Sequence, residues 1–253
     1  MLLRRVIGHF RKQEWTAIGI DFVIVVLGVF IGLQVANWNE ARADSVRARA
    51  YLERIHADLQ TDLANYQDRL AFWGVVSGYG RTGLAYAETG DAAGKSQWQL
   101  LLSYFQASQV AEYFTTSATY DELKSAGELR LIGDVALRNE LAGYYINAAN
   151  PVLTERPAYR MHVRGIIPLD VPDYIWTHCY GSTPTQQQVL LDCASPISEA
   201  RAAGIVTAIR SDRALMGELR YWMSTMTVAA QIGGDRQERA TQLLGAVEAE
   251  MGR

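Results

Sequence analysis

The feature that most constrains this chain is a run of apolar residues near its N-terminus. From Thr16 to Ala36 it reads TAIGIDFVIVVLGVFIGLQVA, with one charge, Asp21, and one amide, Gln34. Twenty-one helical residues rising about 1.5 Å each cover the roughly 30 Å hydrocarbon core of a bilayer. Trp15 and Trp38 bracket the run, where aromatic side chains favour the two membrane interfaces. A soluble core helix has no need of the nearly unbroken apolar stretch from Phe22 to Ala36, because a surface helix keeps a polar face. The run therefore reads as a transmembrane helix in contact with the lipid bilayer. An Ala41-Arg42-Ala43 sequence resembles a signal-peptidase site, but signal h-regions run only about 7–15 residues. An uncleaved anchor fits better.

Orientation follows from flanking charge. Arg4, Arg5, Arg11 and Lys12 precede the run, whereas Arg42, Arg47 and Arg49 follow it interleaved with Glu40 and Asp44. The positive-inside rule then places residues 1–15 in the cytoplasm, the transmembrane helix over 16–37 in the bilayer and the chain from residue 38 onward in the periplasm, as a single-pass protein of a bacterial inner membrane. The two cysteines lean the same way, since disulfides persist in oxidising compartments. Cys179 and Cys193 bracket CYGSTPTQQQVLLDC. A bridge there closes a loop of about 15 residues, stabilising by roughly 3 kcal/mol in the chain-entropy reading; the alternative is a pair of buried thiols.

Behind the anchor the chain reads as mainly helical. Leu52, Ile55, Leu59, Leu63, Tyr66, Leu70 and Trp73 recur at spacings of three and four, one apolar stripe on a helix. No proline interrupts the chain from Trp15 to Trp73. The expectation is a stalk over 38–90, its helix ending near the glycine-rich run Gly74–Gly83. The stripe serves either packing within its own domain or an inter-subunit coiled coil. Over 91–253 a helical domain is expected. Ser96–Gln109 forms one helix. Thr119 and Glu122 make a capping box for a short helix that Gly127 ends. Asp134 caps the next helix, through Asn147. Five of the six prolines fall between Pro157 and Pro196, so 155–198 is expected to be an irregular excursion, with a short extended piece at Arg164–Ile167. Ser198–Thr227 and Asp235–Met251 are expected as two closing helices.

Chemistry-bearing motifs are sparse. Gly78-Tyr79-Gly80-Arg81-Thr82-Gly83 fits G-x-G-x-x-G, but dinucleotide binding needs a preceding strand and this segment reads as helix; a flexible bend is the expectation. His178 beside Cys179 suggests a thiol and its base, but adjacent side chains rarely face one another. His162, His178 and Asp192 lack metal-ligand spacing. No catalytic residue, cofactor or metal site is assigned. The net charge of −3 gives no basic excess to point to nucleic acid.

Two stretches resemble a known family. AIGIDFVIVVLGVFIGLQVANWNEAR followed by YLERIHADLQTDL, with Asp21 at the start of the span, Gly28 in its middle and Leu33-Gln34-Val35-Ala36-Asn37-Trp38-Asn39-Glu40 at its exit, resembles an uncharacterised bacterial membrane family, domain of unknown function 6090. Thr119-Tyr120-Asp121-Glu122-Leu123-Lys124-Ser125-Ala126-Gly127-Glu128-Leu129-Arg130-Leu131-Ile132, continued by Leu137-Arg138 and Tyr144-Tyr145, is a second match. The chain departs from the family in having Asp where Glu is commoner and in its long cysteine-containing insert. The resemblance implies topology and no activity.

Asp21 is an ionisable group inside the span, costly there and therefore a functional hypothesis. Over this short stretch the pattern also resembles the proton-driven stator and energy-transducing subunits of biopolymer-transport type, which implies proton binding at Asp21. A hydrated or ion-paired structural role is the plainer alternative, since Asp21 lies only six residues past Trp15. Gly28 and Gly32 form G-x-x-x-G, which allows close helix packing in lipid and points to a homo-oligomer or a larger membrane complex. The expected function is a non-enzymatic membrane-anchored scaffold or accessory subunit. The alternatives are an ion-coupled subunit using Asp21, or an enzyme or sensor domain whose site is not readable.

Overall fold

The computed structural model describes residues 15–146, 156–184 and 186–252, with side chains from Gly19 onward. The basic tail, the Trp15 side chain and the expected helix end at Asn147 lie outside the described residues. The protein is mainly helical. Helix α1 runs without a break from Trp15 to Thr89, 75 residues, about 112 Å at the α-helical rise. There follow α2 (Gln97–Gln106), α3 (Ala118–Ser125), a 3₁₀ turn (Leu129–Leu131), α4 (Val135–Ile146), α5 (Ala158–Ile166) and α6 (Asp170–His178). Two short antiparallel strands, β1 (Tyr180–Gly181) and β2 (Val189–Leu190), lead to α7 (Glu199–Ser211) and α8 (Arg213–Met251).

The C-terminal half of α1 pairs with α8, and the ion pairs fix the sense as antiparallel. His56, early in that half, lies 3.0 Å from Glu248 near the end of α8. Glu88, at the end of α1, accepts from Arg220 near the start of α8. Two apolar clusters form along this pair. The one nearer the apolar segment joins Leu52, Ile55, Leu59 and Tyr66 to α3, α4 and Leu243 and Val247 of α8. The other joins Phe72, Trp73 and Val76 to α2, α5, α6, α7 and the first half of α8. The stripe from Leu52 to Trp73 is thus consumed inside its own domain. The stalk expected over 38–90 is free of the core only in its first part, and the coiled-coil reading loses its surface.

The glycine-rich run does not end α1, which continues through it to Thr89. Gly80 faces Met223, and a Cβ on Gly83 would stand 2.7 Å from the Tyr104 ring, whose hydroxyl donates to the Gly83 carbonyl. These glycines let neighbouring side chains reach the helix backbone, which offsets their low helix propensity. The helix stops at Gly90, which has φ +75°, a left-handed conformation that glycine adopts without penalty.

Other boundaries also move. Ser96 caps α2 in a reciprocal box with Gln99. Thr119 does not cap α3: it is buried within the helix, the N-cap is Ser117, and Glu122 is drawn to Arg54 and Tyr51 of α1. Gly127, at φ +70°, closes α3 as expected, with its N–H donating to Lys124 and that of Glu128 to Leu123, the Schellman pattern. Asp134 caps α4 through Ala136 and Leu137. The segment expected to be irregular is helical over α5 and α6, where Pro157 and Pro172 start helices, and holds no helix among the described residues from 179 to 198. Pro157 is the N-cap of α5, and Pro172 occupies the first turn of α6, where the missing N–H has no helical partner to lose. Arg164 to Ile166 are accordingly helical, with only Ile167 extended. The closing helices divide at Asp212, the N-cap of α8, and α8 runs through Gly233-Gly234. A Cβ on Gly233 would lie 2.8 Å from the Trp73 ring and 3.0 Å from Leu70, so this glycine marks a close approach of α1 and α8.

Two glycines give opposite expectations. Gly233→Ala adds a helix-favouring residue but overpacks the α1–α8 contact, and is expected to destabilise by about 1–3 kcal/mol. Gly74→Ala meets nothing within 4 Å and is expected to stabilise by about 0.5–1 kcal/mol. Denaturant unfolding of the full chain in detergent micelles checks both signs.

Candidate functional site

The apolar segment stands apart from the core. Ile20, Phe22, Ile24, Phe30, Ile31 and Leu33 are each more than half exposed. Among the described residues this is the one helix long and apolar enough to cross a membrane. Asp21 is exposed on it. Gly28 and Gly32 have nothing within 4 Å of a built Cβ, so their face is uncovered. Trp38 is exposed, with the Arg42 guanidinium 5.9 Å from its ring centre. Just beyond, Asp44 and Arg47 pair with Arg130 and Glu128 of the 3₁₀ region, so the domain reaches back to within about six residues of Trp38.

At the seam between the two apolar clusters sit Asp68 and Arg69 of α1, both almost wholly buried and paired with each other. Burying one charge alone costs several kcal/mol, so each requires the other and further hydrogen bonds. The second set of bonds comes from the loop between β1 and β2. Gln187 N donates to Asp68 Oδ2 at 3.1 Å, Arg69 Nη1 donates to Gln188 Oε1 at 3.2 Å, and Gln187 Nε2 donates to Asn65 at 3.3 Å. That loop lies inside the Cys179–Cys193 disulfide, whose Cα atoms are 5.3 Å apart. His178 therefore has no thiol beside it; it stacks on Tyr174 instead. His162 lies elsewhere, between Asp212 and Glu218.

The same loop walls a cleft of about 450 Å³, lined by Arg69, Val110, Glu112, Phe114, Arg156, Arg160 and Gln188 among others. Arg160 donates to the Ser108 carbonyl at 2.8 Å. One helical turn on, Arg164 donates to Ser108 and Gln109 and lies over the Phe105 and Trp176 rings. Burial, with Arg160 adding to it, pushes the Arg164 guanidinium down to about 10. No sequence motif marked this cleft: its walls come from four separated segments.

A second buried polar group lies in the cluster nearer the apolar segment. Asp62 accepts from the Tyr144 hydroxyl at 2.6 Å and from Thr116 N at 2.9 Å. Tyr66 stacks on Tyr113 and Tyr120 on Tyr145. The hydroxyls of Tyr66, Tyr113 and Tyr144 gather beside Asp62, whereas that of Tyr145 is buried without a hydrogen-bond partner, which costs about 1–3 kcal/mol. Burial is the main cause that pushes the phenols of Tyr66, Tyr113, Tyr144 and Tyr145 upward. Asp62, Tyr66, Tyr113, Tyr144 and Tyr145 are thus buried together in one polar core.

No family model, curated protein or solved structure matches the chain. The family resemblance rests on its quoted motifs alone.

Two measurements check these sites. A phenol raised in the folded state holds its proton to higher pH than it does in the unfolded chain. Its contribution is therefore fully present below about pH 10 and is lost as pH rises toward the folded value. Three of these tyrosines, Tyr113, Tyr144 and Tyr145, are raised well above the usual phenol range, so stability is expected to fall by about 4 kcal/mol per pH unit once the unfolded phenols are ionised. Tyrosinate absorbance and helicity are then expected to change in one transition. Separately, Cys179→Ser with Cys193→Ser is expected to cost about 3 kcal/mol in denaturant unfolding.

Proposed function

We propose that the protein is a single-pass, membrane-anchored scaffold or accessory subunit of a bacterial inner-membrane assembly, non-enzymatic, with its helical domain in the periplasm. One observation carries this reading. The exposed apolar segment and the central helix of the folded domain are the same uninterrupted helix. An apolar face of this size left in water is a severe liability, and lipid is the solvent that removes it. A helix that runs on into the core holds the domain at a fixed stand-off from the bilayer, which suits positioning more than tethering.

The charge pattern around the segment and the bridged cysteines support the outward placement. The span and exit motifs that resemble the uncharacterised membrane family support the same topology. Association within the membrane has its support in the uncovered Gly28–Gly32 face. It no longer has support from the stripe over Leu52–Trp73, which is buried within the chain. The two most deeply buried acids of α1, Asp62 and Asp68, are both taken up by partners within the domain, and this supports a non-enzymatic role.

The test is a pair of C-terminal reporter fusions, one active only in the periplasm and one only in the cytoplasm, together with alkaline extraction of membranes. Periplasmic activity and retention in the extracted membrane are expected. Cytoplasmic activity overturns the orientation, and release by alkali overturns the anchor. Mild detergent extraction is expected to yield a complex larger than the monomer, and Asp21→Asn is expected to leave its size unchanged. A loss of assembly on that substitution transfers the function to the intramembrane acid.

A further inference from the structure

Guanidinium groups withdrawn from water normally carry an acid as partner. In the cleft beside the disulfide loop this pairing is incomplete. Arg156 and Arg160 have no carboxylate within ion-pair reach among the described residues, although Arg160 is partly buried and its one hydrogen bond here is to the Ser108 carbonyl. Arg69 is 3% exposed. Its Nη atoms are taken by Asp68 and Gln188, but its Nε–H is buried with no partner. Arg164, a turn beyond Arg160, adds a further cation that no acid neutralises among the described residues, and mutual repulsion with Arg160 contributes to its lowered basicity. Against these stands Glu112, exposed on the cleft wall. Phe114, 72% exposed, and Val110 supply an apolar rim.

We propose that this cleft is a binding site for an oxyanion, a carboxylate or phosphate group carried on a small ligand. Arg156 and Arg160 hold it, over the buried Arg69 guanidinium that Gln188 fixes in the cleft wall. Arginine suits the task because its planar fork matches two oxygens of such a group at once. The volume, about 450 Å³, is that of a small-molecule site. Preorganisation comes from the disulfide loop, which fixes Gln188 on Arg69 before any ligand arrives. The apolar rim takes the part of the ligand that carries no charge. Glu112 opposes the anion and sets selectivity against densely charged ligands. The inference stands independently of the membrane reading.

The experiment uses the full chain in detergent micelles. Arginine Nε–Hε signals are followed by NMR while sodium phosphate or sodium succinate is added, against sodium chloride at matched ionic strength. Saturable shifts with either oxyanion are expected, and which one acts tells phosphate from carboxylate ligands. Arg156→Gln and Arg160→Gln are each expected to weaken binding about tenfold, the loss of roughly one charge-assisted bond. Glu112→Gln is expected to tighten it at least about twofold. Equal shifts with chloride overturn the proposal, as does unchanged affinity in Arg156→Gln. Because Arg156 is exposed, its replacement leaves the fold intact, and circular dichroism checks that for both variants.

Discussion

The close contact of α1 with α8 is the constraint on which the rest of the domain depends. At Gly233 the absence of a side chain lets α8 lie against the Trp73 ring and Leu70. Everything else is built on the two sides of this antiparallel pair. Toward the apolar segment, α3 and α4 close a tyrosine-rich cluster over Asp62. Away from it, α2, α5, α6 and α7 close a larger one around Trp98, Phe105 and Trp222. Trp73 and Trp222 also anchor the connection after α2, donating to the carbonyls of Ala111 and Ala107. A shift of α8 along α1 would break both clusters together.

The seam between the clusters is polar, and this has a physical logic. Asp68 and Arg69 lie where neither apolar cluster seals the helix, and they are served by a loop that the disulfide holds in place. A buried ion pair contributes little net stability. What it contributes is position: it fixes which face of α1 the 179–193 loop covers, and thereby the wall of the arginine cleft.

Much of the architecture was legible from residue patterns. The apolar run needed no context, and the Leu52–Trp73 stripe reported a buried helical face, though not what buries it. Gly127 and Asp134 were readable because caps act through bonds within a few residues. The misplaced boundaries have two causes, distant contacts at the glycines and helix starts at the prolines. Gly80, Gly83 and Gly233 resemble helix breakers in sequence, but each receives a large side chain from elsewhere in the chain. Pro157 and Pro172 resemble disorder signals, but both stand where a helix begins. The cleft left no local trace, since Arg69, Phe114, Arg156 and Gln188 meet only after folding. Asp62 was equally silent, because an acid on a helix gives no sign of whether a tyrosine will cover it.

The unbroken course of α1 has a mechanical consequence. Between Trp38 and Thr89 the helix extends about 77 Å at the α-helical rise, braced for most of that length by α8. Such a rod converts rotation at one end into displacement at the other. A change of roughly 10° in the tilt of the apolar segment moves the far end by on the order of 13 Å, taking that same helical rise as the lever arm. A small reorientation of the segment thus sweeps the whole domain through space, with no joint needed between them.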